Sequence, residues 1–201
     1  MADTIFASIS AASKDKSGAA LVEFALVAPI FIGVLMFIFD MGFMAYARSI
    51  MSGEINAAGR ASSLETATDE SRADLDDQLA DRIRRVIPQG TVSFDRVSFS
   101  DYGFAQARAE PFVDGNDNDL CDNGESFVDL NGNSLHDLDG GRAGAGGARD
   151  VVIYTATLRY ERMFPVAEFF GMDRDVEIQA RTILRNQPFD QQSRPASRAC
   201  S

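Results

Sequence analysis

A chain of 201 residues with 45% hydrophobic content has room for one membrane helix and one modest domain, but not for a large core. Its formal charge of -11 is uneven: nine acids and no Lys or Arg lie between Glu110 and Gly141, which leaves -2 for everything else. That balance excludes nucleic acid as a partner, since phosphate binding needs a basic patch, and makes cations the natural partner of the acidic block.

From Ala19 to Ala47 the chain is apolar, and Phe24 to Phe39 carries no charge at all, with Glu23 and Asp40 at its two ends. A bilayer-spanning helix needs about 20 predominantly apolar residues, so the run spans if one of these acids sits near an interface. A secretory signal should have a shorter apolar part followed by small residues. Here the run is longer and Pro29 interrupts it. Both lysines, Lys14 and Lys16, precede the run, which places the short N-terminus in the cytoplasm and residues after about 48 outside. A carboxylate such as Glu23 is costly in lipid unless paired; the alternative is a hydrated residue at the interface. Asp40 faces a neighbouring helix or marks the outer interface.

Tyr46 to Ala61 continues the helical pattern, with Gly53 and Gly59 leaving open whether one helix or two are present. Leu75, Leu79, Ile83 and Val86 or Ile87 recur at three- or four-residue steps and predict an amphipathic helix within 64–86, stopped by Pro88 and Gly90. The period then changes to two. Val92, Phe94, Val97 and Phe99 predict a strand with one apolar face and a bulge near Asp95 and Arg96. Residues 151–160 and 176–184 alternate in the same way, and Val166 to Phe170 between them suits a short helix with Pro165 in its first turn. The predicted fold class is α+β: a transmembrane helix running into an amphipathic helix, packed on a small antiparallel sheet. Residues 190–201 have little to bury and are expected to be disordered.

Between the first two strands, Asp114 opens a run that matches a calcium-loop ligand pattern. Asn116, Asn118, Asp122 and Glu125 fall at positions 3, 5, 9 and 12, and Leu120 supplies the carbonyl at position 7. The departure is position 6, where Asp119 replaces glycine. A second run at an offset of 15 places Asp129, Asn131, Asn133, Leu135 and Asp137 at positions 1, 3, 5, 7 and 9, with Gly140 at 12. The second loop is therefore incomplete, or borrows Glu125, Asp139 or Asp122. Hard cations want six to eight oxygens, so the expected cofactor is Ca²⁺, one or two ions, stapling loops whose like charges otherwise repel. The plain alternative is a solvated acidic loop. Paired loops without flanking helices resemble those of dockerin modules and thrombospondin type 3 repeats, over about 24 residues. Cys121 and Cys200, the only cysteines, are candidates for a disulfide that an extracytoplasmic compartment permits, though sequence does not show that they meet. His136, the only histidine, reads better as an exposed loop residue than as a base or ligand, because no nucleophile motif accompanies it. No catalytic motif is present, and the chain reads as a non-enzyme.

The run Gly18-Ala19-Ala20-Leu21-Val22-Glu23-Phe24-Ala25-Leu26-Val27-Ala28-Pro29 resembles the TadE-like pilus-assembly proteins, pseudopilins or minor pilins of tight-adherence systems. Looser similarity continues through Ala57-Ala58-Gly59-Arg60 to Arg185-Asn186-Gln187-Pro188-Phe189, with the acidic loops as an insertion. The resemblance implies cleavage by a prepilin peptidase between Gly18 and Ala19, with Glu23 and Phe24 completing the motif. Glu23 would then pair with the new amine of an adjacent subunit. It divides the chain into a leader, 1–18, a pilin-like helix, 19–47, an extracytoplasmic domain, 48–189, with loops at 114–139, and the tail. The implied partners are the membrane, other pilin or pseudopilin subunits, the prepilin peptidase and the pilus assembly platform. The implied location is the bacterial inner membrane, N-terminus cytoplasmic and domain periplasmic, or a surface pilus. A membrane-tethered calcium-dependent adhesin that never polymerises explains the loops equally well, and a periplasmic enzyme is the weaker third reading.

Overall fold

The computed structural model describes residues 17–62, 68–188, 192 and 194–200. The expected leader therefore lies outside the described residues except for Ser17 and Gly18. Helix α1 (Ser17–Ser62) is one uninterrupted helix, so neither Gly53 nor Gly59 breaks it. It is long and apolar enough to cross a membrane, and the apolar window near its start buries nothing. Pro29 lies inside it. Proline removes one backbone hydrogen bond, a loss that membrane helices commonly tolerate.

The chain divides into two units. One comprises α1 up to Met44 together with Arg162–Arg174. In it Asp40 is buried, and its carboxylate accepts a hydrogen bond from the Arg162 guanidinium. The sequence alternatives for Asp40 are thus replaced by an internal ion pair. The hairpin that supplies Arg162 contains a 3-10 turn, Pro165–Phe170, with Pro165 at its start.

The second unit comprises the remaining described residues. Here α1 buries Ala47, Met51 and Ile55, one stripe at four-residue spacing. Gly59 continues the stripe where a Cβ would stand 2.7 Å from Thr182 Cγ2, so only glycine permits this approach of helix to strand. Helix α2 (Asp69–Val86) starts at Thr68, whose hydroxyl accepts from the Ser71 N–H, and buries Leu79, Ala80 and Ile83. Strands β1 (Thr91–Phe99), β4 (Arg142–Ala143), β5 (Val151–Glu161) and β6 (Asp175–Arg185) form an antiparallel sheet in the order β4-β1-β5-β6. The short helix α3 (Tyr102–Ala107) follows β1.

No bulge interrupts β1: Asp95 pairs with Thr155 and Arg96 with Tyr154 in unbroken register. The change of parity between Phe94 and Val97 has another cause, because both faces of this end of the sheet are used. Val152, Tyr154, Ala156 and Leu158 share one face with Val92, Phe94 and Arg96. On the other, Phe99, Val151 and Ile153 form a small core with Ala105 and Phe104 of α3. Arg96 is tolerated in the first set because it is bonded, its Nη1 and Nη2 lying 2.7 and 2.6 Å from the Asp76 carboxylate oxygens.

A second sheet, absent from the sequence expectation, has the order β2-β3-β7, with β2 (Phe112–Val113), β3 (Ser126–Asp129) and β7 (Ala196–Ala199). The expectation of a disordered tail is corrected for residues 196–199, which pair with Ser126–Asp129. Their partner edge and a covalent bond at Cys200, not apolar burial, hold them; residues 190, 191, 193 and 201 lie outside the described residues.

Candidate functional site: a duplicated acidic loop

Strands β2 and β3 pair antiparallel, Phe112 opposite Phe127, and each leads into one acidic loop. The two loops are built alike. Asp114 opens the first, its carboxylate accepting the backbone N–H groups of Asn116, Asn118 and Asp119 at 3.2, 3.3 and 2.9 Å. Asp129 opens the second in the same manner, accepting from Gly132 at 2.7 Å and Ser134 at 3.1 Å. Asn118 Nδ2 donates to Asp122 at 2.6 Å, and Asn133 Nδ2 to Asp137 at 2.7 Å. The Leu120 and Leu135 N–H groups donate to the Asn118 and Asn133 side-chain oxygens at 2.9 and 2.8 Å. Position 6 has positive φ in both loops, 59° at Asp119 and 66° at Ser134. The backbone thus adopts the left-handed turn even without glycine, at the modest strain that Asp tolerates better than most residues.

The carboxylate that closes each loop follows the same repeat. Glu125 accepts from Gly115 N–H at 2.7 Å and Asp122 N–H at 3.0 Å. In the second loop these places belong to Glu110, which accepts from Leu130 N–H at 2.7 Å and Asp137 N–H at 3.1 Å. The side chain that comes to the second loop is therefore Glu110, and not Glu125, Asp139 or Asp122. Asp139 instead pairs with Arg108. Gly140 makes room, since a Cβ there would lie 2.5 Å from Glu110 Cγ. Glu110 is 15 residues before Glu125, and Glu-x-Phe-Val-Asp opens both repeats. Carrying the offset-15 comparison four residues upstream of Asp114 finds this residue in the sequence.

Each loop is also anchored at its eighth residue, to the same kind of point. Cys121 forms a disulfide with Cys200, whose N–H donates to the Glu125 carbonyl at 3.0 Å. At the equivalent place His136 Nε2 lies 3.0 Å from the Glu110 carbonyl, and its ring meets Phe112 and Phe127 edge-on at 5.0 and 5.6 Å. His136 is thus half-buried and wedged between two aromatic rings, which corrects its reading as an exposed loop residue.

Among the described residues, no three His, Cys, Asp or Glu side chains are placed to hold a metal ion. Asn side-chain amides occupy the Asp122 and Asp137 carboxylates instead. The donor chemistry of each loop is all oxygen at positions 1, 3, 5, 7 and 9, completed by one glutamate, the set a hard cation takes.

The local hydrogen bonds leave an electrostatic mark. The Asp119 N–H, aided by those of Asn118 and Asn116, holds the Asp114 carboxyl below its ordinary 3.8. The Asn131 and Asn133 amides do the same for Asp137. A depressed carboxyl contributes stability that is complete above the unfolded value and is lost as pH falls through the folded one. Acidification below the ordinary Asp value of 3.8 is therefore expected to open both loops before the sheet unfolds. Loss of the Asp119 and Asn133 amide resonances by NMR, ahead of those of β5, checks this; simultaneous loss counts against it.

The membrane-side candidates lie elsewhere. Gly18, Ala19, Glu23 and Phe24 sit on the first turns of α1, all exposed, with open space around the place a Gly18 Cβ would occupy. Asn186, from the looser C-terminal similarity, is buried and donates to the Ala145 and Gly147 carbonyls at 2.7 and 2.8 Å, tying a loop to the end of β6.

No curated protein and no solved structure matches the chain. Residues 18–60, the apolar helix with its glycine and Glu23, are matched by the family described as TadE-like protein.

Proposed function

We propose that the chain is a pseudopilin or minor pilin subunit that acts in assembly of a tight-adherence pilus, held in the bacterial inner membrane by α1 until it is assembled. What carries this is the TadE-like match, which falls on the one helix able to cross a membrane among the described residues and begins at Gly18. The prepilin peptidase cuts between Gly18 and Ala19, and Glu23, exposed on α1, meets the new α-ammonium of a neighbouring subunit. A carboxylate left unpaired in the apolar layer is costly, so the pair favours packing with other subunits.

The extracytoplasmic part is stabilised by one or two Ca²⁺ ions. Asp114, Asn116, Asn118, Leu120, Asp122 and Glu125 hold one, and Asp129, Asn131, Asn133, Leu135, Asp137 and Glu110 the other. The support is the repeated geometry, in which the same donors recur at the same spacing and each loop is closed by its own glutamate. Calcium would take the Asp122 and Asp137 carboxylates to which the neutral Asn side-chain amides donate hydrogen bonds.

Mass spectrometry of the chain from membranes should find Ala19 at the mature N-terminus. Gly18→Leu should leave residues 1–18 attached, an all-or-none effect, since nothing in the chain itself crowds a side chain there. Glu23→Ala should still be cleaved but fail to enter filaments. Met1 retained in the unmodified chain favours the tethered adhesin instead.

A further inference from the structure

The hairpin between β5 and β6 is folded onto α1 rather than left in solvent. Arg162 closes its base: the backbone N–H donates to Arg174 O at 2.9 Å, Nε to Asp173 O at 3.0 Å, and Nη1 to Asp40. The two charged side chains are only 11% and 4% exposed, so the pair is a desolvated pin between hairpin and helix. Removing either partner alone would leave a buried charge. Beyond that base, Met163 to Met172 contains a single charge, Glu168. Val166, Phe169 and Met172 line an open apolar cleft with Pro29, Gly33 and Phe37 of α1. Phe169 is 86% exposed and Met163 64% exposed.

We propose that this hairpin is a second membrane-contacting element, an elbow that places Met163 and Phe169 in the acyl-chain boundary beside α1, with phospholipid filling the cleft. Three observations choose lipid as the occupant. The exposed apolar surface of the elbow is continuous with that of α1, whose Leu26, Ile30 and Phe31 are 70%, 71% and 59% exposed. Apart from Glu168, its exposed charges, Asp173 and Arg174, are gathered at the base, where headgroups would meet them. Its turn satisfies its own backbone, as a low-dielectric layer requires: Gly171 N–H donates to Glu168 O at 3.0 Å and Met172 N–H to Ala167 O at 3.1 Å. Pro29 and Gly33 lie midway along the uncharged run from Phe24 to Phe39, so the elbow descends from its base into the acyl layer beside α1, with Glu168 the one charge it carries there.

The inference rests on α1 crossing the membrane, and one experiment separates the two. The chain has no tryptophan, so Phe169→Trp, Met163→Trp, Leu26→Trp and Leu138→Trp each introduce a single fluorophore. The full chain is placed in phosphatidylcholine–phosphatidylglycerol nanodiscs with and without brominated acyl chains. The Phe169→Trp, Met163→Trp and Leu26→Trp variants should emit to the blue and lose intensity with bromolipid; Leu138→Trp, with its probe in the acidic block, should not. Quenching in Leu26→Trp with red, unquenched emission from both elbow variants overturns the elbow. Absence of quenching in Leu26→Trp as well overturns the elbow and the membrane assignment together. Blue but unquenched emission from the elbow variants, with cross-linking between copies, puts a second subunit in the cleft and overturns the lipid assignment.

Discussion

Replacing Asp76 by alanine is expected to destabilise the domain by about 3–5 kcal/mol, the cost of removing one partner from a largely buried ion pair. Asp76 lies on α2, and its carboxylate takes two bonds from Arg96 on β1 and one from the Tyr154 hydroxyl on β5. The Arg96 guanidinium lies 4.1 Å from the Tyr154 ring centroid, and Phe94 stacks on the same ring at 6.0 Å. Helix and sheet are thus joined by a charge, a fork of donors and an aromatic plane at one point. Without Asp76, the largely buried Arg96 loses the carboxylate that takes two of its guanidinium bonds. Tyr154→Phe should cost only about 1 kcal/mol, because the carboxylate keeps both guanidinium bonds. The double variant Asp76→Leu with Arg96→Met should recover most of the loss, since neither charge then needs a partner. Denaturant midpoints of the detergent-solubilised chain measure all three. An Asp76→Ala variant within about 1 kcal/mol of the parent, on the scale set by those costs, would mean that the apolar stripe of α2 alone holds it to the sheet.

The same cluster sets an alkaline limit. Burial, reinforced by the Asp76 bond, pushes the Tyr154 hydroxyl far above its ordinary 10.0, so the folded chain keeps the proton that the unfolded chain gives up. Stability from this contact is full below about pH 10 and falls above it.

Elements whose periodicity is local were legible in the sequence, and features made by distant partners were not. The stripe Leu75, Leu79, Ile83 announces α2 within one helix, and alternation announces β1, β5 and β6. Arg96 spoils the alternation of β1 because the residue that makes it tolerable, Asp76, lies 20 positions away. Asp40 finds Arg162 at a separation of 122, which no local pattern encodes. Strand β7 leaves no such mark, because its side chains are exposed and its stability comes from backbone pairing and one disulfide. In the candidate site the two repeated loops were legible, but the acid that closes the second loop stands upstream of it, whereas counting forward from Asp129 ends at Gly140.

Glu110 carries the other large expected effect. It is 1% exposed, and its two carboxyl oxygens accept from the Leu130 and Asp137 N–H groups, tying the second loop to a buried acid. Glu110→Ala should leave both donors unmet and cost about 3 kcal/mol without any metal, at roughly 1–3 kcal/mol for each buried unsatisfied group. Glu125→Ala should cost less, about 1 kcal/mol, because Glu125 is half-buried and water can replace it. Calcium separates structural from ligand roles. A loop saturated at about 100 times its dissociation constant gains about 2.7 kcal/mol, and a variant lacking the closing carboxylate should lose that gain for its own loop alone. Glu110→Gln keeps the size of the side chain and one acceptor, so it should retain much of the apo stability while abolishing the calcium increment of the second loop. Thermal unfolding of the full chain with calcium and with chelator reads both quantities. If Glu110→Gln and Glu125→Gln each keep the whole increment, the loops do not bind calcium through their glutamates. If only Glu125→Gln loses it, Glu110 closes its loop as a structural acid, and the first loop is the metal site.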